Sequence, residues 1–334
     1  MAVIHPFIVG HGRAGNAIAQ ALAILKTQIT ALEIREPIWV ERHSPLAPAA
    51  DGLSLALISN PHGLHAERIF EADRAGFVAI ASEKPACVTR EQASKLSRVK
   101  AKTAIFHVYR QMWGPQELKK MISEKFFGDL ITIEGRYWQA STAERALTGP
   151  APQSWKNNIA LSGPSDTLLD VGVHWADLAI FLAESFPSKL SGWSSYANAE
   201  AAHRDSHVHL VMDFSSGLRA LSSITKNAHG ATNHFEVNVF GTKASATWTF
   251  LNPDEINLGE GRERRVLTKK SSSTGTGHPP FHGAGWMEGY IEILRQLLFE
   301  VSGVQSSTRY PTLRENIQLV DALLSSKILK SSAD

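Results

Sequence analysis

Thiols are nearly absent from this 334-residue chain. Cys87 is the single cysteine. That excludes an intramolecular disulfide and a cysteine-built metal site, and it suits a reducing, cytoplasmic setting. Long hydrophobic runs are missing too, since no stretch approaches the ~20 apolar residues that span a bilayer. The N-terminus lacks the basic flank and extended apolar core of a signal peptide. Charge of one sign is not in excess, and a formal net charge of +2 gives no reason to expect nucleic acid or an anionic membrane. There are no internal repeats and no coiled-coil heptads. What remains, 43% hydrophobic and 20% charged, is the composition of a soluble globular protein. Its length is too great for one small core, so two domains are expected, 1–110 and 111–334.

The first domain opens on a short apolar run, Phe7-Ile8-Val9, that turns directly into Gly10-His11-Gly12-Arg13-Ala14-Gly15. Helix formers with apolar residues at helical spacing follow, from Asn16 to Leu25. Strand, G-x-G-x-x-G and helix in this order form the setting of a dinucleotide fingerprint. Gly10 permits a tight turn, Gly12 admits a pyrophosphate close to the backbone, and Gly15 lets the helix pack against the strand. The free N–H groups of Arg13, Ala14 and Gly15 and the positive end of the helix dipole would then face the phosphates.

A second strand, Pro37-Ile38-Trp39-Val40, ends in Glu41-Arg42. An acid there favours NAD through the ribose hydroxyls, while an arginine holds the 2′-phosphate of NADP. Both residues are present, and the choice stays open. Residues 42–52 are too few for a further helix and strand, so the adenosine side of the sheet looks trimmed. Leu53 to Ser59 is a buried strand ended by Asn60-Pro61. A helix from His62 to Ala75 follows, then the strand Phe77–Ala81, which stops at Ser82-Glu83-Lys84-Pro85. A helix from Thr89 to Lys100 and a strand from Thr103 to Tyr109 complete an alternating β/α order, hence a mostly parallel, doubly wound sheet.

Beyond Tyr109 the pattern changes. From Ser191 to about Thr249 the period is two: Val208/Leu210/Met212, Leu218/Ala220/Ser222 and Phe235/Val237/Val239 alternate with polar partners. This predicts an α+β domain with a large, mostly antiparallel sheet and one apolar face. His207 and His209 share one side of a strand without an apparent third ligand, and no metal is expected. Glu260 to Pro280, rich in Gly, Ser, Thr and basic residues, reads as a surface loop. Trp286–Val301 reads as an amphipathic helix. Thr312-Leu313-Arg314-Glu315 is a capping box before a helical run to about Ile328.

The densest chemistry lies in Leu168-Leu169-Asp170-Val171-Gly172-Val173-His174-Trp175-Ala176-Asp177. Helical geometry would put Asp170 and His174 at i and i+4 on one face, with Asp177 near enough to orient the ring. That is one way to build a proton-transfer site. The same spacing also suits an ordinary half-buried helix start with one satisfied histidine.

In this order, the motifs resemble the Gfo/Idh/MocA (glucose–fructose oxidoreductase, inositol 2-dehydrogenase, rhizopine catabolism) family over nearly the whole length. The resemblance rests on Gly10-x-Gly12-x-x-Gly15, on Asn60-Pro61 with His65, and on Glu83-Lys84-Pro85. It continues through Trp155-Lys156, Asp170-x-Gly172-x-His174-x-x-Asp177 and Tyr310-Pro311-Thr312-Leu313-Arg314. It implies a Rossmann domain followed by an α+β domain whose open sheet joins copies into dimers or tetramers. It also implies hydride transfer between NAD or NADP and a secondary hydroxyl or ketone of a sugar, inositol or related polyol.

Carried over by motif, Lys84 would bond the reacting oxygen, His174 would be the acid/base, and Asp170 would orient the substrate or share the proton. Asn60, Pro61, His65, Glu83, Lys84 and Trp155 would join the cofactor contacts. The residue chemistry agrees, since an ammonium and an imidazole acting on one hydroxyl are what hydride transfer needs. For Lys84 the competing reading is a structural salt bridge. Tyr109 and Arg110 either line the substrate pocket or pair with an acid. Trp138, Trp175, Trp286 and Tyr290 either stack on a sugar ring or fill the core. Three features depart from the family pattern: the short 42–52 loop, Ser162-Gly163-Pro164-Ser165 in place of the usual glycine-rich turn, and Lys156 where arginine is common. Competing functions are a ligand sensor without turnover, an enzyme that recycles a retained cofactor, and a reductase of a non-sugar carbonyl. Arg13 and the short second-strand region also resemble biliverdin reductases.

Overall fold

The computed structural model describes residues 1–148, 155–195, 204–270, 285–304 and 309–330. In chain order the first elements are β1 (Ala2–Val9), α1 (Arg13–Gln28), β2 (Leu32–Ile34), β3 (Ile38–Val40) and β4 (Leu53–Ile58). Next come α2 (His65–Ala75), β5 (Ala79–Ser82), α3 (Arg90–Leu96) and β6 (Lys102–Ile105). The middle of the chain holds α4 (Trp113–Ser123), β7 (Leu130–Trp138), α5 (Ser141–Thr148), α6 (Ile159–Ser162) and α7 (Val173–Ala183). Strands β8 (Lys189–Ser195), β9 (His207–Asp213), β10 (Arg219–Thr225) and β11 (His234–Gly241) follow. After them run β12 (Ser245–Thr249), β13 (Glu255–Glu260) and β14 (Glu263–Thr268), then α8 (Met287–Ser302), α9 (Leu313–Ser325) and β15 (Lys327–Lys330).

The chain divides into two compact units. The first comprises 1–111, 159–163 and 286–321, and the second 112–158, 164–285 and 322–334. A single cut near residue 110 therefore misses part of the division, because α8 and most of α9 pack with the first unit.

The first unit is built on a parallel sheet of order β2-β1-β4-β5-β6, with β3 also pairing β1. Every residue of β5, and all but the first of β4, is buried, as expected of central parallel strands covered on both faces. Helix α1 turns Ala17, Ile18, Ala21, Leu22 and Leu25 inward at helical spacing. Gly76, in the left-handed region at φ 92°, closes α2. The expected second strand forms as β3, and the short strand β2, not expected from the sequence, precedes it beside β1. Ile4 faces Ile34 but Phe7 faces Ile38, so the outer strand carries one extra residue beside β1. Pro37 sits in that gap and has no N–H to give to a ladder. Residues 42–52 form neither helix nor strand, leaving this edge of the sheet short. The predicted strand 103–109 stops at Ile105, and Val108–Gln111 is a 3₁₀ turn.

The second unit carries a nine-stranded sheet of order β14-β13-β12-β11-β7-β10-β9-β8-β15. Its pairs are antiparallel except β7 with β10 and β8 with β15. The period-two reading holds: Val208, Leu210 and Met212, Ala220 and Ser222, and Phe235, Val237 and Val239 are all buried. Gly135 in β7 lies against the Glu236 carbonyl and the Trp175 indole, leaving no room for a side chain. One expectation fails at the hairpin β13–β14. Residues 263–268 are not loop but strand, joined to β13 by a turn at 261–262 and paired from Glu255↔Thr268 to Glu260↔Glu263. Strand β14 is an exposed, charge-rich edge, a composition that imitates a loop and protects the edge from further pairing. The remainder of that expected loop, 271–280, lies outside the described residues. Likewise, the last helix ends at Ser325, and 327–330 form a strand.

Candidate active site

At the mouth of the parallel sheet the three glycines differ in what surrounds them. Gly10 has φ 109°, where a Cβ would press on the backbone of Ser59 and Asn60. A Cβ on Gly15 would collide with the Gly10 carbonyl oxygen. A Cβ on Gly12 would meet no heavy atom of the described residues within 4 Å. No side chain caps α1 at Gly12 and no acid stands in its first turn, so its leading N–H groups are not claimed by a cap. An anion fits here: close packing where a helix must approach a strand, and open space where a phosphate would lie. Beside it Trp39 stacks on His11 at 5.0 Å, and His11 Nε2 is 3.8 Å from Glu41. Glu41 and Arg42 are both exposed.

The carboxyl ends of β4 and β5 carry Asn60, Glu83 and Lys84, all buried. Asn60 Oδ1 and Nδ2 have no hydrogen-bond partner among the described residues. A buried amide without partners is costly unless a ligand completes it, which is a second feature that fits a dinucleotide. Tyr290 donates its hydroxyl proton to Glu83 Oε1. Burial and the adjacent Glu83 push the Tyr290 phenol well above its usual range, keeping it a donor.

His65, expected among the cofactor contacts, is fully buried. Its Nδ1 is 2.8 Å from the Pro85 carbonyl and its Nε2 is 2.6 Å from the Asn60 carbonyl. A neutral ring has a single N–H, so it donates to one of these two carbonyls and packs against the other, between the Asn60 and Lys84-Pro85 turns. Burial, opposed by those two carbonyls, lowers its pKa to about 4, so the ring is neutral. Arg110 takes the second of its two readings: it is buried and ion-paired with Glu315 at 3.0 Å. Tyr109 is buried on the same 3₁₀ turn.

In the second unit, Asp170 and His174 do not share one regular helix. Leu168–Gly172 is a π-helical turn, and α7 begins only at Val173. The Thr167 carbonyl accepts from both Val171 (3.0 Å) and Gly172 (2.9 Å), which widens the turn. Wider turns of this kind recur at functional sites, and here the widening removes the simple i, i+4 relation. Asp170 Oδ2 accepts from Lys156 at 3.0 Å and from Lys226 at 2.8 Å. His174 lies in the first turn of α7, buried, with the Tyr137 ring 6.2 Å away. Asp177 is buried one turn further on. Trp155 opens a 3₁₀ turn, with the Lys156 ammonium 5.7 Å from its ring.

Four residues around this turn were not singled out from the sequence. Asp205 Oδ2 accepts from the N–H groups of Leu168 (2.7 Å) and Thr167 (3.2 Å), and Oδ1 accepts from that of Asp166 (2.9 Å). It thus caps the turn that carries Asp170. Arg204 donates to the carbonyls of Lys156 (2.6 Å) and Ser165 (3.1 Å), tying two loop segments together. Lys226 and Asp166 form a buried pair at 2.9 Å. Burial works against ionisation of Asp166, but Lys226, Arg145 and Arg204 outweigh it and hold its pKa below the ordinary value. Among the aromatic candidates, Trp175 and Tyr290 are core. Trp138 lines a cavity of about 460 Å³ with Ser195, Ser206, His207, Thr225 and Asn227. His207 and His209 stack, their Nε2 atoms 3.0 Å apart.

Residues 116–247 match the family model described as the GFO/IDH/MocA C-terminal domain, a span that holds Asp170, His174 and the four residues around them. Over those residues the chain matches the Gfo/Idh/MocA family. Levoglucosan dehydrogenase of Pseudarthrobacter phenanthrenivorans is 26% identical over 308 residues, covering 83% of this chain and 77% of that protein. Among solved structures, a levoglucosan dehydrogenase complex with NADH and levoglucosan superposes with a TM-score of 0.83 at 22% identity. It covers 97% of each chain. An inositol dehydrogenase homologue from Azotobacter vinelandii, complexed with NAD⁺, gives 0.80 at 17% identity, covering 97% of this chain and 94% of its own. The Gfo/Idh/MocA fold, a parallel dinucleotide-type sheet followed by a large, mostly antiparallel one, is the architecture observed here. No helix among the described residues is long and apolar enough to cross a membrane.

Proposed function

We propose that this protein is an NAD(P)-dependent oxidoreductase acting on a secondary hydroxyl, or the corresponding ketone, of a sugar or related cyclic polyol. One observation carries the reading. The first unit keeps an uncapped, glycine-lined helix start with open space at Gly12, while the second holds Asp170 under a lysine clamp on the π-helical turn that leads into α7, whose first turn carries His174. The relatives named for levoglucosan and for inositol support the same substrate class.

The nicotinamide, when bound, takes up or releases the hydride. The roles left to this chain follow from its side chains. Lys84, as an ammonium, hydrogen-bonds the reacting oxygen and stabilises alkoxide character. His174 takes the hydroxyl proton on an imidazole nitrogen in oxidation and returns it in reduction. Asp170 accepts a hydrogen bond from a substrate hydroxyl and fixes the ring. Glu41 at the end of β3 supports NAD as the first choice of cofactor, with Arg42 as the route to NADP. Association of copies through the open sheet, which the resemblance implies, is part of the proposal, and light scattering on the purified protein reads it.

Fluorescence titration with NADH and NADPH, followed by NAD⁺ reduction assays with levoglucosan and myo-inositol, tests the whole. Binding of one cofactor together with turnover of a polyol is the expected result. Absence of binding to either cofactor overturns the reading and leaves a ligand sensor as the better account.

A further inference from the structure

Lys226 is the charged residue most completely removed from water in the second unit, with a fully buried side chain. It follows directly on β10 and gives its three protons to three acceptors: the Asp166 carbonyl (3.1 Å), Asp166 Oδ1 (2.9 Å) and Asp170 Oδ2 (2.8 Å). Burial alone would lower its proton affinity, but Asp170 and Asp166 outweigh burial and raise it. As a stabiliser such a pair is a poor choice, since apolar groups of the same volume often do as well or better. What the pair does secure is the position of a carboxylate. Asp170 Oδ2 is gripped by Lys226 from the interior and by Lys156 from the part-exposed side. The contact from Lys156 is open to water and salt, and that from Lys226 is not.

We propose that Lys226 is the positioning residue of Asp170. It holds that carboxylate fixed and charged, so that Asp170 serves only as a hydrogen-bond acceptor and the transferred proton travels on His174. This rests on the roles given to Asp170 and His174 above. The charges facing the group come from several segments. Arg145 reaches Asp166 at 3.1 Å and Arg204 at 3.7 Å, Lys156 reaches Asp170, Asp205 caps the turn, and His174 follows it. The surrounding arginines serve Asp166, whereas Lys226 reaches Asp170 from the interior.

The test compares the full-length wild type with Lys226→Met and Lys226→Arg. Rates are measured with NAD⁺ and levoglucosan or myo-inositol across pH, and the Asp170 carboxyl is followed by ¹³C NMR, assigned with Asp170→Asn. In Lys226→Met, kcat/KM is expected to fall roughly tenfold or more, its acid limb to move to higher pH, and the carboxyl to titrate higher than in wild type. Lys226→Arg keeps the charge and is expected to keep the wild-type acid limb while KM rises. A merely structural role predicts a lower melting temperature with the pH profile and the carboxyl titration unmoved, and that result overturns the proposal. Should Lys226→Met not fold, Lys226→Arg decides: a displaced acid limb there overturns it as well. If the wild type binds neither cofactor, the functional reading fails by itself; in that case, as when neither polyol is turned over, the carboxyl titration alone judges Lys226.

Discussion

Arg110 and Glu315, 205 residues apart in the chain, form a 3.0 Å ion pair within the first unit. The same carboxylate accepts from the N–H and hydroxyl of Thr312, closing the capping box of α9. Burial disfavours its charge, but Arg110 and Thr312 outweigh that and lower the Glu315 pKa. Such a group contributes stability that is complete above the ordinary glutamate pKa and disappears as pH falls through the lower folded value. Arg110→Met is therefore expected to cost about 3 kcal/mol at pH 7 and to flatten part of the acid branch below about pH 4.5. Urea unfolding at both pH values measures this.

His65 gives a different pH signature. It is neutral in the fold with a pKa of about 4, whereas an unfolded histidine takes up a proton near pH 6.5. Between those values the unfolded state binds more protons, so stability is complete above pH 6.5 and falls as pH drops toward 4. The loss is on the order of 3 kcal/mol. His107, buried and also lowered, acts in the same direction. Equilibrium unfolding of His65→Gln should show a shallower slope over this window.

The glycine motif separates packing from binding. Gly12→Ala meets no neighbour, so the ligand-free protein should melt within a degree or two of wild type while NADH affinity drops about tenfold or more. Gly15→Ala forces α1 away from β1 and should lower both the melting temperature and the affinity. Equal loss of affinity and stability in the two variants would sink the idea that the space at Gly12 is kept for a phosphate.

For the chemistry, Lys84→Ala should reduce turnover roughly 100-fold or more with cofactor binding preserved. His174→Ala should do the same and change the pH profile. Stopped-flow single turnovers on the preferred polyol provide the measure. A Lys84→Ala protein with near-normal turnover would remove that residue from the mechanism.

The legible parts of this molecule are those whose cause is local in sequence. Gly10, Gly12 and Gly15, the capping box at Thr312 and Glu315, and the alternation along β9 to β11 depend on neighbours a few residues away. Lys226 reaches Asp170 across 56 residues and Asp205 caps Leu168 across 37, so neither carries a nearby mark. The π-helical turn at Asp170 was hidden for the same reason, since Asp205 and Lys226 hold the segment in place. Strand β14 was missed because edge strands and loops draw on the same charged residues. His65, named from its motif alone, also packs between two turns, which only the fold reveals.

The return of α8 and α9 to the first unit has a consequence for how the protein is made. Helix α8 covers α1 and β6, Ile105 N–H bonds to the Pro311 carbonyl, and Ala86 N–H bonds to Asn316. A ribosome adding ~5–20 residues per second needs roughly 10–35 s to synthesise the stretch between Gln111 and Trp286. Throughout that interval the nascent parallel sheet lacks its covering helix. The first unit to leave the ribosome is thus completed only by the segments that emerge late, and a chaperone holding the waiting apolar surface would act there first.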